Sequence, residues 1–383
     1  MSGKPVVLVA LGSFWPGNDA SGPNQSFIAL ASALKAEFDF RVVARDRAPG
    51  APVSSAPRGW VDLGYAQAHY LEIGRLGARG LAALLRATPH DALWLNSVYD
   101  REFTLPALIA ARVFGVSRAP VILSPRGEFG AGALGVKAGK KQVFLRLART
   151  LKLWRGVTWH ATSEAEARDM AAQTPSDARI AVAPNLRLML SPPPFTRGAE
   201  ALRVIFVGRI APIKGLAFAL HALARVRCPV TFEIFGPPED EATHTQARAI
   251  AQELPAHIAV YWRGAASNEA IVEALARSDL FLLPTGGENF GHAIFEALSC
   301  GVPALISDQT PWRGLTARRA GWDLPLARPH AFVEAIETFA ALPDEARAAW
   351  REGARACARA YVEHSGAAQA SAAMLRGAMA GRR

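Results

Sequence analysis

The sequence predicts an α/β chain built as two doubly wound domains, each a parallel sheet covered by helices on both faces. Two observations carry that expectation. Short apolar, β-rich runs recur without polar alternation, as strands buried on both faces require, and Ala/Leu-rich helical stretches separate them. The rhythm halts once, at a triple proline, and then begins again.

The first series opens with residues 6–11, followed by a Gly/Ser/Pro/Asn loop through Asn24 and a helical pattern over residues 27–37. Strand-like runs follow at 41–44, 92–95, 120–123 and 156–161. The second series has runs at 203–207, 231–235, 259–262, 280–283 and 303–306. Pro192, Pro193 and Pro194 lie between the two, where neither a helix nor a central strand can continue, so residues 191–200 read as a linker. The expected domains are therefore residues 1–190 and 201–362, with residues 363–383 at the end of an Ala-, Arg- and Glu-rich helical tail. Ligands of such sheets bind at the carboxyl ends of the strands, and a cleft between the domains is the expected place.

Composition narrows the classes. Half of the 383 residues are apolar and 20% are charged, which suits a soluble globular chain. The three cysteines, Cys228, Cys300 and Cys357, are odd in number and lack metal-ligand spacing. A disulfide framework or zinc site is not expected, and a reducing cytoplasm is the expected compartment. The run 6–11 is too short for a signal-peptide core, and no stretch approaches ~18 uninterrupted apolar residues. The charge of +10 is uneven: residues 1–190 hold 23 basic and 14 acidic side chains, the remainder 20 and 19. A basic first half suits an anionic membrane surface or a phosphorylated substrate. Neither zinc-finger spacing nor an RNP-type aromatic motif occurs, so no nucleic-acid partner is expected.

Two loops in the second half carry chemistry. Residues 207–215, Val-Gly-Arg-Ile-Ala-Pro-Ile-Lys-Gly, follow the run 203–207 directly. Gly208 lets the chain leave the sheet sharply, Arg209 and Lys214 share one turn-sized loop, and Gly215 opens a helical stretch over 216–226. A forked guanidinium with a point-charge ammonium suits a diphosphate leaving group, while two solvated surface cations is the plainer reading of that loop alone. Residues 284–291, Pro-Thr-Gly-Gly-Glu-Asn-Phe-Gly, follow the run 280–283 and enter a helical pattern over 292–299. Asn289, Phe290 and Gly291 would present N–H groups to a phosphate or sugar. Glu288 falls in the loop and Glu296, eight residues on, within the helix, so one carboxylate can reach a sugar ring while the other takes the hydroxyls of a ribose. Glu296 as an exposed helix glutamate fits poorly with its apolar neighbours Ile294, Phe295, Ala297 and Leu298.

The loop 208–215, the pair Glu288/Glu296 and the tail Ala297-Leu298-Ser299-Cys300-Gly301-Val302-Pro303 together resemble the retaining GT-B-fold glycosyltransferases of family 4, along essentially the whole chain. The resemblance implies a GT-B fold of two Rossmann-like domains and metal-independent sugar transfer without a cofactor, from a UDP- or GDP-sugar donor. The absence of any Asp-x-Asp agrees with metal independence. By resemblance Arg209 and Lys214 hold the diphosphate, Glu288 the transferred sugar and Glu296 the ribose, with Arg209, Lys214 and Glu288 catalytic. Further donor contacts fall to Asn289, Phe290, Gly291 and Gly22, and Arg263 and Gly264 line the base pocket. In that fold a final helix, here within residues 363–376, crosses back to the first domain. Gly236-Pro237-Pro238 and Thr310-Pro311-Trp312-Arg313 look like bacterial polysaccharide-assembly members, implying a saccharide or lipid-linked saccharide acceptor.

Acceptor residues are expected in the first half. Ser124-Pro125-Arg126-Gly127-Glu128 resembles the family's Pro-His-Gly stretch, with Arg126 where relatives commonly carry histidine. Arginine stays protonated, so a general base at this position is in doubt. Arg126 is instead expected to bind an acceptor phosphate and Glu128 to position a hydroxyl. His160, closing a strand-like run, reads as a core histidine satisfied by backbone ahead of a functional one. Residues 137–155 set apolar positions 143, 144, 147, 151 and 154 on one helical face among seven cations. Such a helix is either an ordinary domain helix or a contact to anionic lipid at the inner face of the plasma membrane. Three rival classes stay open: an oxidoreductase, although no G-x-G-x-x-G directly closes an expected strand, a sugar-nucleotide epimerase, and a non-catalytic sugar-nucleotide-binding protein.

Overall fold

A computed structural model describes residues 3–18, 21–48, 51, 56–72, 77–130, 148, 150–195 and 201–381. The chain divides into two compact units, Met1–Arg187 with Gly366–Arg383, and Leu188–Ser365.

The first unit contains β1 (Val6–Ala10), α1 (Gly22–Leu34), β2 (Asp39–Arg45), β3 (Trp60–Asp62), β4 (Gln67–Leu71), α2 (Gly77–Ala87), β5 (Ala92–Asn96), α3 (Thr104–Arg112), β6 (Val121–Ser124), β7 (Val157–Ala161), α4 (Glu164–Gln173) and β8 (Arg179–Val182). Its eight strands lie in the order β3-β4-β2-β1-β5-β6-β7-β8, all parallel except β3 against β4. The central strands β5, β6 and β7 are buried at every residue, including the polar Asn96, Ser124, Thr158 and His160. The pattern does not announce β3, β4 and β8, because these strands are short and partly exposed, and each includes at least one polar residue. Helix α1 starts five residues before the expected helix, since Pro23 in its first turn presets a helical φ. Of the expected amphipathic stretch 137–155, residues 137–147 and 149 lie outside the described residues. Of its remainder, Ala148 and Thr150 are helical, and the helix stops there: Lys152 takes φ 52°, and Leu153 and Trp154 turn into the core.

The second unit contains β9 (Leu202–Val207), α5 (Leu216–Leu223), β10 (Val230–Phe235), α6 (Glu241–Gln252), β11 (Ile258–Gly264), α7 (Asn268–Ala276), β12 (Leu280–Leu283), α8 (His292–Ser299), β13 (Ala304–Ser307), β14 (Gly321–Leu324), α9 (Pro329–Ala340) and α10 (Asp344–His364). Its six strands are all parallel, in the order β11-β10-β9-β12-β13-β14. Strand order reverses between β9 and β12, the position where a doubly wound sheet opens a crevice at its carboxyl edge.

Pro192, Pro193 and Pro194 fall inside the second unit, where the Phe195 ring lies 3.8 Å from the Arg351 guanidinium carbon. Residues 196–200 are not described. The helical tail is broken at Gly366, whose φ of 61° ends the run of α10 and starts α11 (Ala367–Ala380). Through α11 the chain rejoins the first unit, where Ala372, Met374, Leu375 and Ala378 share a core with Phe27 and Leu30 of α1. Among the described residues no helix is long and apolar enough to cross a membrane. Leu375 is fully buried in this core. Leu375→Ala is expected to destabilise the first unit by about 2–5 kcal/mol, read by denaturant unfolding of the full chain.

Candidate functional site

The loops after β9 and β12 emerge from neighbouring strands at the reversal point of the second unit and are locked together by backbone. Gly215 has φ 71°, and a side chain there would place its Cβ 2.0 Å from the Pro284 carbonyl oxygen. Only glycine meets both conditions. From the other side, Gly286 N–H and Thr285 Oγ1 both donate to the Ile213 carbonyl, at 2.6 and 2.9 Å. The second loop is tied onward by Glu288 N–H to the Gln309 carbonyl at 3.1 Å. Phe290 is buried against Phe295, Trp312 and Tyr361, and the Trp312 indole N–H donates to its carbonyl at 2.6 Å. Asn289 and Gly291 flank it, Gly291 at φ 80° immediately before α8.

On this frame Lys214 Nζ donates to Glu288 Oε1, so a cation and a carboxylate 74 positions apart in sequence meet. Both side chains are mostly shielded, 16% and 14% exposed. Arg209 takes a different partner, Glu239, in a far more open pair at 61% and 47% exposure. Sequence reasoning missed Glu239; its signal was the Gly236-Pro237-Pro238 turn, which sets the loop after β10 beside that after β9. There Gly236 has φ 139°, and a Cβ would stand 1.9 Å from the Gly208 carbonyl oxygen. Glu296 is buried in α8. Its charge adds to burial in pushing the neighbouring Cys300 thiol up to about 12. Arg263 is committed to Glu233 of β10, its Nε donating at 2.8 Å, and Gly264 accepts from Gly236 N–H at 2.7 Å. Among the described residues no group of three or more His, Cys, Asp or Glu side chains is placed to hold a metal ion.

In the first unit, Gly22 begins α1, and Asn24 pins the preceding loop through bonds to Ser13. Arg126 has φ 57°, and its guanidinium donates to Asn96 Oδ1 at 2.9 and 3.1 Å and to Asn185 Oδ1 at 2.9 Å. Burial lowers it to about 10, opposed by the Glu166 charge, so it remains a cation. Glu128 accepts from Ser97 Oγ at 2.5 Å and Val98 N–H at 2.6 Å, where Ser97 is held at φ 68°. Both residues expected to face an acceptor thus brace the loops that follow β5 and β6.

His160 is buried in the same region. The Ala183 carbonyl can only accept, so Nε2 carries the proton at 2.8 Å and Nδ1 accepts from Ser124 Oγ at 2.7 Å. Ser124 in turn accepts from Trp94 Nε1 at 2.8 Å. Burial, and then the Arg126 charge, lowers the His160 pKa from 6.5 to about 3.

The sequence matches known families in two consecutive stretches. Residues 21–186 match the glycosyl transferase 4-like domain, and residues 195–356 match glycosyl transferases group 1. In fold the chain is similar to sucrose-phosphate synthase from Thermosynechococcus elongatus, with TM-score 0.71 and 16% identity over 99% of this chain and 100% of that one. It is also similar to Anabaena HepE in complex with UDP and glucose, with TM-score 0.67 and 17% identity over 97% and 100% of the two chains. The chain is a pair of glycosyl transferase domains on the GT-B fold. A D-inositol 3-phosphate glycosyltransferase from Jonesia denitrificans is 28% identical over 207 residues, 51% of this chain and 46% of that protein. The chain thus matches less than half the length of that curated relative.

One titration follows from this geometry. The unfolded chain binds the His160 proton near pH 6.5, whereas the folded chain does so only near 3. Between those values the unfolded state holds the extra proton, so stability falls as pH drops from 6.5 toward 3. Unfolding measured across that range should lose this one-proton slope in His160→Gln.

Proposed function

We propose that this GT-B chain is a retaining, metal-independent glycosyltransferase. It takes a sugar from a UDP- or GDP-linked donor and passes it to a saccharide or lipid-linked saccharide, in cell-surface or exopolysaccharide synthesis. The observation that carries this reading is the single constellation formed at the strand reversal of the second unit, in which Arg209, Lys214 and Glu288 stand on two mutually locked loops. Lys214 and Arg209 meet the charge that develops on the leaving diphosphate, Glu288 orients the departing sugar and Glu296 holds the ribose. Preorganised cations of this kind lower the barrier because they need no reorientation as charge builds up.

Acceptor binding falls to the first unit, with Arg126 and Glu128 shaping the loops that receive it. A basic first half suits a phosphorylated or lipid-linked acceptor and a working place on the cytoplasmic face of a membrane.

Two variants test the donor side. Lys214→Ala is expected to lower kcat by roughly 10²-fold in a radiolabelled-donor assay, the scale seen when a transition-state donor is removed. Glu296→Ala should mainly weaken nucleotide binding by calorimetry. Near-normal turnover in the first variant, or unchanged affinity in the second, removes that residue's role. Epimerised donor without transfer would favour the rival epimerase.

A further inference from the structure

Both cations at the strand reversal are already neutralised from within the chain. Glu288, after β12, engages Lys214, and Glu239, after β10, engages Arg209. Two loops on opposite sides of the β9 loop therefore each supply one negative charge to a cation that a diphosphate would need.

Resting on the donor-site reading above, we propose that Glu239 is a positioning residue that sets diphosphate affinity. It is the resident counter-ion of Arg209, displaced when the diphosphate binds and restored when the nucleoside diphosphate leaves. Its backbone makes this exchange reversible. Glu239 N–H donates to the Ile210 carbonyl at 3.1 Å, and Ile210 N–H donates to the Pro237 carbonyl at 2.9 Å. Gly236, where a Cβ would stand 1.9 Å from the Gly208 carbonyl oxygen, lets this turn lie close against the β9 loop. The carboxylate thus stays beside Arg209 when the pair opens, and only side chains need rotate.

Exposure separates the two pairs. Lys214 and Glu288 are shielded, so removing either leaves an uncompensated charge in a low-dielectric place, and Glu288 also belongs to the proposed chemistry. Arg209 and Glu239 stand in solvent, where an ion pair opens at little cost and is screened by salt. Glu239 is therefore the residue whose removal reports competition for the cation alone.

The test is a calorimetric titration of the full chain with UDP, GDP and ADP, continued with whichever binds the wild type best, and with its unphosphorylated nucleoside. Glu239→Gln is expected to bind the diphosphate about three- to tenfold tighter, with nucleoside affinity unchanged and a gain that shrinks at high salt. In an Arg209→Ala background the same substitution should change nothing, because the effect runs through that cation. Glu239→Ala serves as the second variant and should show the same gain. Diphosphate affinity that is unchanged or weaker in both variants overturns the proposal, as does a gain that survives without Arg209. A wild type that binds none of the three diphosphates brings down the donor-site reading itself and this inference with it.

Discussion

A backbone carbonyl stands where residue 215 would otherwise carry a side chain. That contact, Gly215 against Pro284, lets the loops after β9 and β12 close to within hydrogen-bonding distance, and the pairing of Lys214 with Glu288 depends on it. The sheet brings the two strands together through parallel pairing of Phe281 with Ile205. Glycine then removes the last steric barrier between the loops that extend from them. On the neighbouring strand Gly236 does the same against Gly208. Three loops from separate regions of the chain thereby share one edge with little freedom to drift apart.

The first unit solves a different problem. A cation in a buried setting is costly unless its donors are satisfied. Arg126 meets that condition with two neutral asparagines, while the nearby carboxylate of Glu166 is spent on Gly127 N–H and on Thr162. The arginine charge then helps keep His160 neutral, and neutrality lets the imidazole bridge Ser124 and Ala183. Strands β6 and β7 are thus joined by side chains as well as by their ladder.

The sequence made the second unit easier to read than the first. Its central strands β9 and β12 carry the continuous apolar runs 204–207 and 280–283, and its loops carry glycines and charges that have few other uses at a strand end. Glu239 escaped notice because an exposed glutamate beside two others of like charge, Asp240 and Glu241, resembles any solvated turn. Its partner is fixed by strand order, which periodicity does not report. Strands β3, β4 and β8, at or next to the sheet edges, escaped because they are short and partly exposed. Arg126 was legible as a departure from the family pattern, but its commitment to Asn96 and Asn185 depends on contacts 30 and 59 positions away.

The return of α11 means that the first unit is discontinuous in sequence. During synthesis, residues 1–187 emerge from the ribosome well before the helix that completes one of their two apolar faces. Phe27, Leu30 and their neighbours must wait, partly uncovered, while the whole second unit is made. Severing the gene between the two matched domains would leave the first unit without its own last piece.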